Sequence, residues 1–216
     1  MTTRIKCCGI NDPAAVDAAL RLNVDYIGFV FFAKSPRHLS FGAAAQLAAR
    51  SGDHVERIGL FVDADDAMIG EAVAAARLDG IQLHGSESVA RVADVRARFA
   101  LPVWKALGVR NVEDIAAAAA YAPVADRILF DAKPPRGADL PGGLGVRFDW
   151  DLLRGYKGPP HWGLAGGLSP DNVAEAMAAT GAPLVDVSSG IESAPGVKDV
   201  DKMAAFCNAV RHYDPH

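Results

Sequence analysis

Arg4-Ile5-Lys6-Cys7-Cys8-Gly9-Ile10, followed by Asn11-Asp12-Pro13, is the stretch that sets the reading of the whole chain. It describes a short strand that stops at a glycine and turns into a helix. Asp12 suits a helix cap, and Pro13 suits the first helical position, where a missing N–H costs nothing. Side chains alternate along a strand, so Lys6 and Cys8 share one face while Ile5 and Cys7 take the other. A thiol at a strand's end, with an ammonium two residues behind it on the same side, is a candidate base or nucleophile. The thiolate is the reactive form, and a nearby cation favours it. The plain alternative is that a free cysteine simply fills core space.

The same unit recurs to the end of the chain. Further strands read over 25–31, 57–62, 80–84, 102–106, 127–131, 161–165 and 183–188. Helical spacing reads over about 12–22, 40–50, 66–77, 87–99, 111–121, 149–155, 170–180 and 199–211, with Ser169-Pro170 expected to cap and open the seventh. The run Tyr26-Ile27-Gly28-Phe29-Val30-Phe31 is apolar throughout, as in strands buried on both faces of a parallel sheet. Eight strands alternating with eight helical segments over 1–216, with no linker-like composition between them, predict one α/β domain, a closed (β/α)8 TIM barrel. A doubly wound open sheet is the alternative. It needs fewer units, and no Gly-x-Gly-x-x-Gly follows the first strand.

In such a barrel the site lies at the C-terminal ends of the strands. The polar residues there are Cys8, Arg37 in the second loop, His84, Asp131, the Gly166-Gly167 pair and Ser188-Ser189-Gly190, with Asp186 sharing the inward face with Ser188. Each alone has an ordinary explanation: a solvated arginine, a core histidine, an aspartate closing a turn. Their joint placement on one rim is the argument. The glycine pair after strand seven and Ser188 to Gly190 after strand eight read as a phosphate site built from backbone N–H groups. Asp131 and Cys8, facing across the mouth, suit an isomerisation in which one group gives a proton and another takes one. Lys6 and Asp186 face inward on adjacent strands and are expected to form an ion pair below the substrate. His84 has no partner at metal-ligand spacing, so no metal is expected.

Composition narrows the rest. The chain has 216 residues, 50% hydrophobic and 22% charged, with a net charge of −4 and no block of like charge. Nucleic acid and membrane are therefore not expected partners. Cys7, Cys8 and Cys207 form no disulfide framework, which points to a reducing compartment, the cytoplasm.

Lys6-Cys7-Cys8-Gly9-Ile10, Lys34-Ser35-Pro36-Arg37, Gln82-Leu83-His84-Gly85, Gly166-Gly167-Leu168-Ser169-Pro170-Asp171-Asn172 and Asp186-Val187-Ser188-Ser189-Gly190-Ile191-Glu192, in this order, resemble phosphoribosylanthranilate isomerases of tryptophan biosynthesis. The resemblance implies a cofactor-free Amadori rearrangement of a phosphorylated aminoaldose to an aminoketose. It implies Cys8 as general base, Asp131 as general acid and Arg37 as the group that binds the anthranilate carboxylate, expected here as a bidentate pair. His84, Gly166, Gly167, Asp186, Ser188, Ser189 and Gly190 are expected to bind substrate. Phe29 and Phe31 are candidates to frame the aromatic ring, with core packing expected instead for at least one of them. The expected assembly is a monomer or weak homodimer. Position 7 departs from the family, which usually has a β-branched aliphatic there, so parity must choose between two thiols. The segment from Lys133 to Gly145 is expected to be a lid that is mobile when empty. Leu144 stands in it where the family commonly has a small hydroxyl residue. The rival readings are the isomerase that performs the same rearrangement in histidine synthesis, which has an acid rather than a thiol on strand one, and a barrel that binds a sugar phosphate without catalysis.

Overall fold

Strand, turn and capped helix, repeated, close on themselves. In the computed structural model, which describes residues 3–133, 142–143, 145–158 and 161–213, eight parallel strands form a closed barrel in sequence order. They are β1 (Arg4–Cys8), β2 (Tyr26–Phe31), β3 (Glu56–Phe61), β4 (Gly80–Leu83), β5 (Val103–Val109), β6 (Arg127–Ala132), β7 (Trp162–Leu164) and β8 (Leu184–Val187). β8 pairs back onto β1 with Lys6 beside Asp186, and this closure excludes the open doubly wound sheet. Around them lie α1 (Pro13–Arg21), α2 (Phe41–Ser51), α3 (Asp66–Ala76), α4 (Val89–Phe99), α5 (Val112–Ala116), α6 (Ala118–Tyr121), α7 (Val173–Thr180) and α8 (Val200–Arg211). Asp12, Ser40, Asp65 and Ser88 each accept a hydrogen bond from the backbone N–H three residues on, which starts α1 to α4 where the sequence says they should start.

Four local expectations differ from the structure. The helix expected over 111–121 is two short ones that meet at Ala117, and nothing in the sequence explains the break. The segment near 149–155 is a single 3-10 turn, Trp150–Leu153, ended by Gly155 at φ +67°. Ser169 and Pro170 do not open α7. They lie in a turn that the Asn172 side chain organises, accepting from Ser169 N at 2.8 Å and donating to Gly167 O at 2.9 Å, and the helix begins at Val173. Between β8 and α8 the chain adds a 3-10 turn, Ser189–Ile191, and a small antiparallel hairpin, β9 (Glu192–Ala194) and β10 (Val197–Lys198).

Parity sorts the strand residues into two cores. Ile5, Cys7, Ile27, Phe29, Phe31 and Phe61 pack outward against the helices, where Phe31 stacks on Phe61 at 5.3 Å. Inside the barrel, Tyr26, Ile58, Trp104, Ala106, Leu129 and Leu184 form an apolar plug. Cys8, Val30 and Leu60 form a separate patch towards the C-terminal ends. The plug includes an edge-on pair of rings, Tyr26 and Trp104, with centroids 4.9 Å apart.

Candidate active site

The cleft at the C-terminal ends of the strands holds about 670 Å³ of free space, counting its open mouth. Cys8, Arg37, His84, Asp131, Gly166, Gly167, Asp186, Ser188 and Ser189 all line it. Residues from six separate strand ends or loops are thus brought together, as expected. Gly190 stands just behind them in the 3-10 turn. Phe29 and Phe31 do not line the cleft. Their parity sends them to the helix layer, and the apolar walls are Val30, Phe32 and Leu60 instead.

Cys8 is the last residue of β1 and faces inward with Lys6, while Cys7 lies fully buried against the helices. The Lys6 ammonium sits 2.8 Å from Asp186 Oδ2, with the two side chains 0% and 6% exposed, so the expected ion pair is present. Burial pushes the Lys6 ammonium down, but Asp186 and Cys8 outweigh it and the net shift is up. Burial pushes the Asp186 carboxyl up, and Lys6 only partly offsets this. Burial also pushes the Cys8 thiol up, with Lys6 and the nearby Lys198 pulling the other way. The nearby cation does favour the thiolate, as expected, but desolvation of the buried thiol outweighs it.

Asp131 lies in β6, one residue before its end. Its Oδ1 accepts from Ala132 N at 2.7 Å, and its Oδ2 lies 3.0 Å from His84 Nε2. On its other side His84 Nδ1 lies 3.1 Å from Gln82 Nε2. His84 is thus a neighbour of Asp131 as well as a wall of the cleft. Across the mouth, Arg37 is only 5% exposed. Its Nε and Nη2 donate to Glu192 Oε1 and Oε2 at 2.7 and 2.8 Å, and Nη2 also donates to Gly143 O at 3.2 Å. The bidentate edge expected for a ligand carboxylate is therefore occupied by Glu192.

The two loops read as a phosphate cradle meet. Gly167 adopts φ +65°, a backbone conformation that disfavours a side chain. A Cβ on Gly190 would lie 1.9 Å from Leu168 O, so only glycine allows the two loops to close on each other. Among the described residues, the backbone N–H groups of Gly167, Ser188, Ser189 and Gly190 donate to no backbone or side-chain acceptor. Such a cluster of unused donors beside a helical turn is suited to an anion.

Residues 5–209 match the family described as N-(5'-phosphoribosyl)anthranilate (PRA) isomerase. The chain belongs to this family. A relative in Paramagnetospirillum magneticum with that name is 51% identical over 98% of both chains, and one in Paracoccus denitrificans is 53% identical over 95% of this chain and 96% of its own. The crystal structure of the phosphoribosyl anthranilate isomerase of Thermotoga maritima superposes with a TM-score of 0.87 at 33% identity, covering 97% of this chain and 98% of that one. Another such isomerase, crystallised with reduced 1-(o-carboxyphenylamino)-1-deoxyribulose 5-phosphate, superposes with a TM-score of 0.84 at 31% identity over 97% and 98%. The activity is that of a phosphoribosylanthranilate isomerase, an aldose–ketose isomerase of tryptophan biosynthesis. The two rival readings, the histidine-pathway isomerase and the non-catalytic barrel, fall away. Among the described residues no helix is long and apolar enough to cross a membrane.

Reading the sequence missed Glu192, Lys198 and Gln82 as parts of this site. Pro195-Gly196 is a turn signal that could have announced the hairpin, but nothing in the sequence shows its charges facing inward. It also missed the buried pair Lys105–Glu87, 2.8 Å apart, which holds the loop after β4 through Gly85.

Proposed function

We propose that Cys8 is the general base and Asp131 the general acid of the rearrangement, on a substrate held at both ends. Asp131 gives a proton to the furanose ring oxygen, the C1–O bond breaks, and the open chain is a Schiff base. The Cys8 thiolate then takes the proton from the sugar C2. This leaves an enolamine, which becomes the aminoketose when C1 gains a proton and the C2 hydroxyl becomes a carbonyl. The phosphate lies on the N–H groups of Gly167, Ser188, Ser189 and Gly190. The aromatic carboxylate meets Arg37 Nη1, the guanidinium nitrogen without a hydrogen bond among the described residues. Val30 and Leu60 wall the aromatic ring. Asp186 serves through Lys6, His84 through Asp131, and Gly166 by bringing the backbone after β7 against Asp131.

The observation that carries this reading is that one cleft brings a thiol and a carboxyl together with a cation on one side and unused N–H groups on another. Loss of substrate fluorescence in a steady-state assay tests it. Cys8→Ser and Asp131→Asn should each fold and be nearly inactive, since an alcohol supplies almost no anion near neutral pH and an amide gives no proton. Substantial turnover by either overturns that assignment. The chain is further proposed to act in the cytoplasm as one catalytic barrel domain, a monomer or weak homodimer, with a phosphorylated small molecule rather than nucleic acid as its partner. Its three cysteines are free and buried, which suits a reducing compartment. The Thermotoga maritima relative is described as dimeric, and sedimentation across protein concentration decides the state of this one.

A further inference from the structure

The hairpin β9–β10 touches three parts of the mouth. Glu192, at its start, accepts from Arg37 Nε and Nη2 at 2.7 and 2.8 Å. Lys198, at its end, donates to Glu192 Oε1 at 2.8 Å and to Ser188 O at 3.0 Å. Gly196, in its turn, donates its N–H to Glu192 Oε2 at 3.3 Å and accepts from Asn11 Nδ2, in the loop after Cys8, at 2.8 Å. Glu192 and Lys198 are 7% and 8% exposed, as buried as the residues they hold.

A guanidinium has two edges shaped for a carboxylate, Nε with Nη2 and Nη1 with Nη2. Glu192 fills the first edge. On the second, Nη2 is already shared with Gly143 O. Nη1 is what remains for a ligand. Around it two buried cations, Arg37 and Lys198, stand against one buried anion, Glu192, so this wall presents one unbalanced positive charge.

We propose that Glu192 is a positioning and specificity-determining residue: by holding the Nε–Nη2 edge of Arg37 it aims Nη1 at a single carboxylate on the substrate's aromatic ring, and through Lys198 it ties that aim to the Ser188 end of the cleft. The proposal rests on the reading of Arg37 given above. A free arginine has many rotamers, and ordering such a side chain on binding weakens affinity by a factor of about ten. Glu192 makes that ordering part of folding. It also limits the carboxylate to one direction of approach. The distance between the carboxylate end and the phosphate end is then a property of the hairpin, because Glu192–Lys198–Ser188 is one continuous chain of hydrogen bonds.

The test compares two substrates, phosphoribosylanthranilate and the phosphoribosyl adduct of aniline, which lacks the ring carboxylate, with product measured by chromatography. Arg37→Met should erase the preference for the carboxylated substrate. Glu192→Gln should lower kcat/KM on the carboxylated substrate about tenfold, through KM with kcat little changed, and leave the aniline adduct alone. Equal loss on both substrates makes Glu192 merely structural and overturns the proposal. Wild-type preference in Glu192→Gln also overturns it, while the Arg37 reading stands if Arg37→Met has lost the preference. Preference retained by Arg37→Met removes the Arg37 reading and the proposal with it. Should Glu192→Gln fail to fold because it strands the Lys198 ammonium, Glu192→Asp, which keeps the charge but is too short to fill the Arg37 edge, takes its place. It should show the same selective loss, and unchanged selectivity there overturns the proposal.

Discussion

Removing Asp186 should harm this barrel more than removing Lys6, although the two form one ion pair. At 2.8 Å the pair attracts by about 6 kcal/mol at an effective dielectric of about 20, before desolvation is subtracted. Breaking such a buried pair costs about 3–5 kcal/mol, because one charge is left without its partner. The two halves differ in how they escape that cost. Both groups are shifted up, so both hold a proton more readily folded than unfolded. With Lys6→Met, Asp186 can take up a proton, a change that burial already favours. With Asp186→Leu, Lys6 has to lose a proton, the harder step near neutral pH. Asp186→Leu should therefore fall near the top of that range, lowering Tm by about 10–20 °C in a chain of this length. Lys6→Met should fall near or below its bottom, and the Lys6→Met/Asp186→Leu double variant should be near neutral. The sign with pH follows. A carboxyl whose folded pKa is raised stabilises the fold while protonated and loses that contribution as pH rises through the folded value. The deficit of Lys6→Met should thus shrink as unfolding is measured at lower pH. Urea unfolding of the three variants at several pH values is the assay. Equal losses in the two single variants, or a Lys6→Met deficit that grows towards acid, refutes the reasoning.

Cys7→Val should keep wild-type kcat/KM, with stability changed by about 1 kcal/mol in either direction, because this thiol packs outward as a small apolar group; loss of turnover would mean that the register of β1 is wrong. Gly190→Ala should raise KM and weaken competition by inorganic phosphate, since its methyl group meets Leu168 O; unchanged phosphate competition separates this turn from the anion site. Inactivation by iodoacetamide should accelerate with pH through and beyond the ordinary thiol range, because burial pushes the Cys8 thiol up; a rate already flat at neutral pH shows that the two lysines outweigh desolvation after all.

Different physical signals made different parts legible in the sequence. The barrel was readable because each strand is a short apolar run and each early helix begins at a side chain that caps it, as Asp12 and Ser40 do. The pairing of Lys6 with Asp186 was readable because parity places both inward and closure makes β1 and β8 neighbours. Glu192 and Lys198 were not readable. Their burial depends on a seven-residue hairpin folding back over Arg37, a tertiary arrangement with no periodicity to announce it. Core packing, expected for at least one of Phe29 and Phe31, holds for both, and the sequence left their place open for a related reason. In a strand buried on both faces hydrophobicity does not say which face is the cleft, and only the register of the polar neighbours does. The lid expected from Lys133 to Gly145 falls mostly outside the described residues. Of its described part, Gly143 accepts a hydrogen bond from Arg37.

The two cores explain why one barrel can be both stable and chemically active. The lower interior is an apolar plug of Tyr26, Ile58, Trp104, Leu129 and Leu184, so charged groups above it have little access to solvent from below. Lys6 and Asp186 stand on that plug and neutralise one another there. An unpaired charge at that depth would be prohibitive, but a pair is tolerated, and its ammonium also pulls on Cys8. The polar groups that line the cleft therefore stand in a layer above the plug. Among the described residues of that layer, the titratable side chains have partners built in, with one exception: Lys6 has Asp186, Arg37 and Lys198 have Glu192, and Asp131 has His84. The exception is the thiol. Cys8 has cations near it but burial against it, so it is the group whose state the arriving substrate can change most. Expulsion of water by substrate strengthens both sides of that balance, the pull of Lys6 and Lys198 on a forming thiolate and the desolvation that opposes it. In the proposed rearrangement Cys8 therefore gives up its proton against burial, and Lys6 and Lys198 are the groups that ease that step.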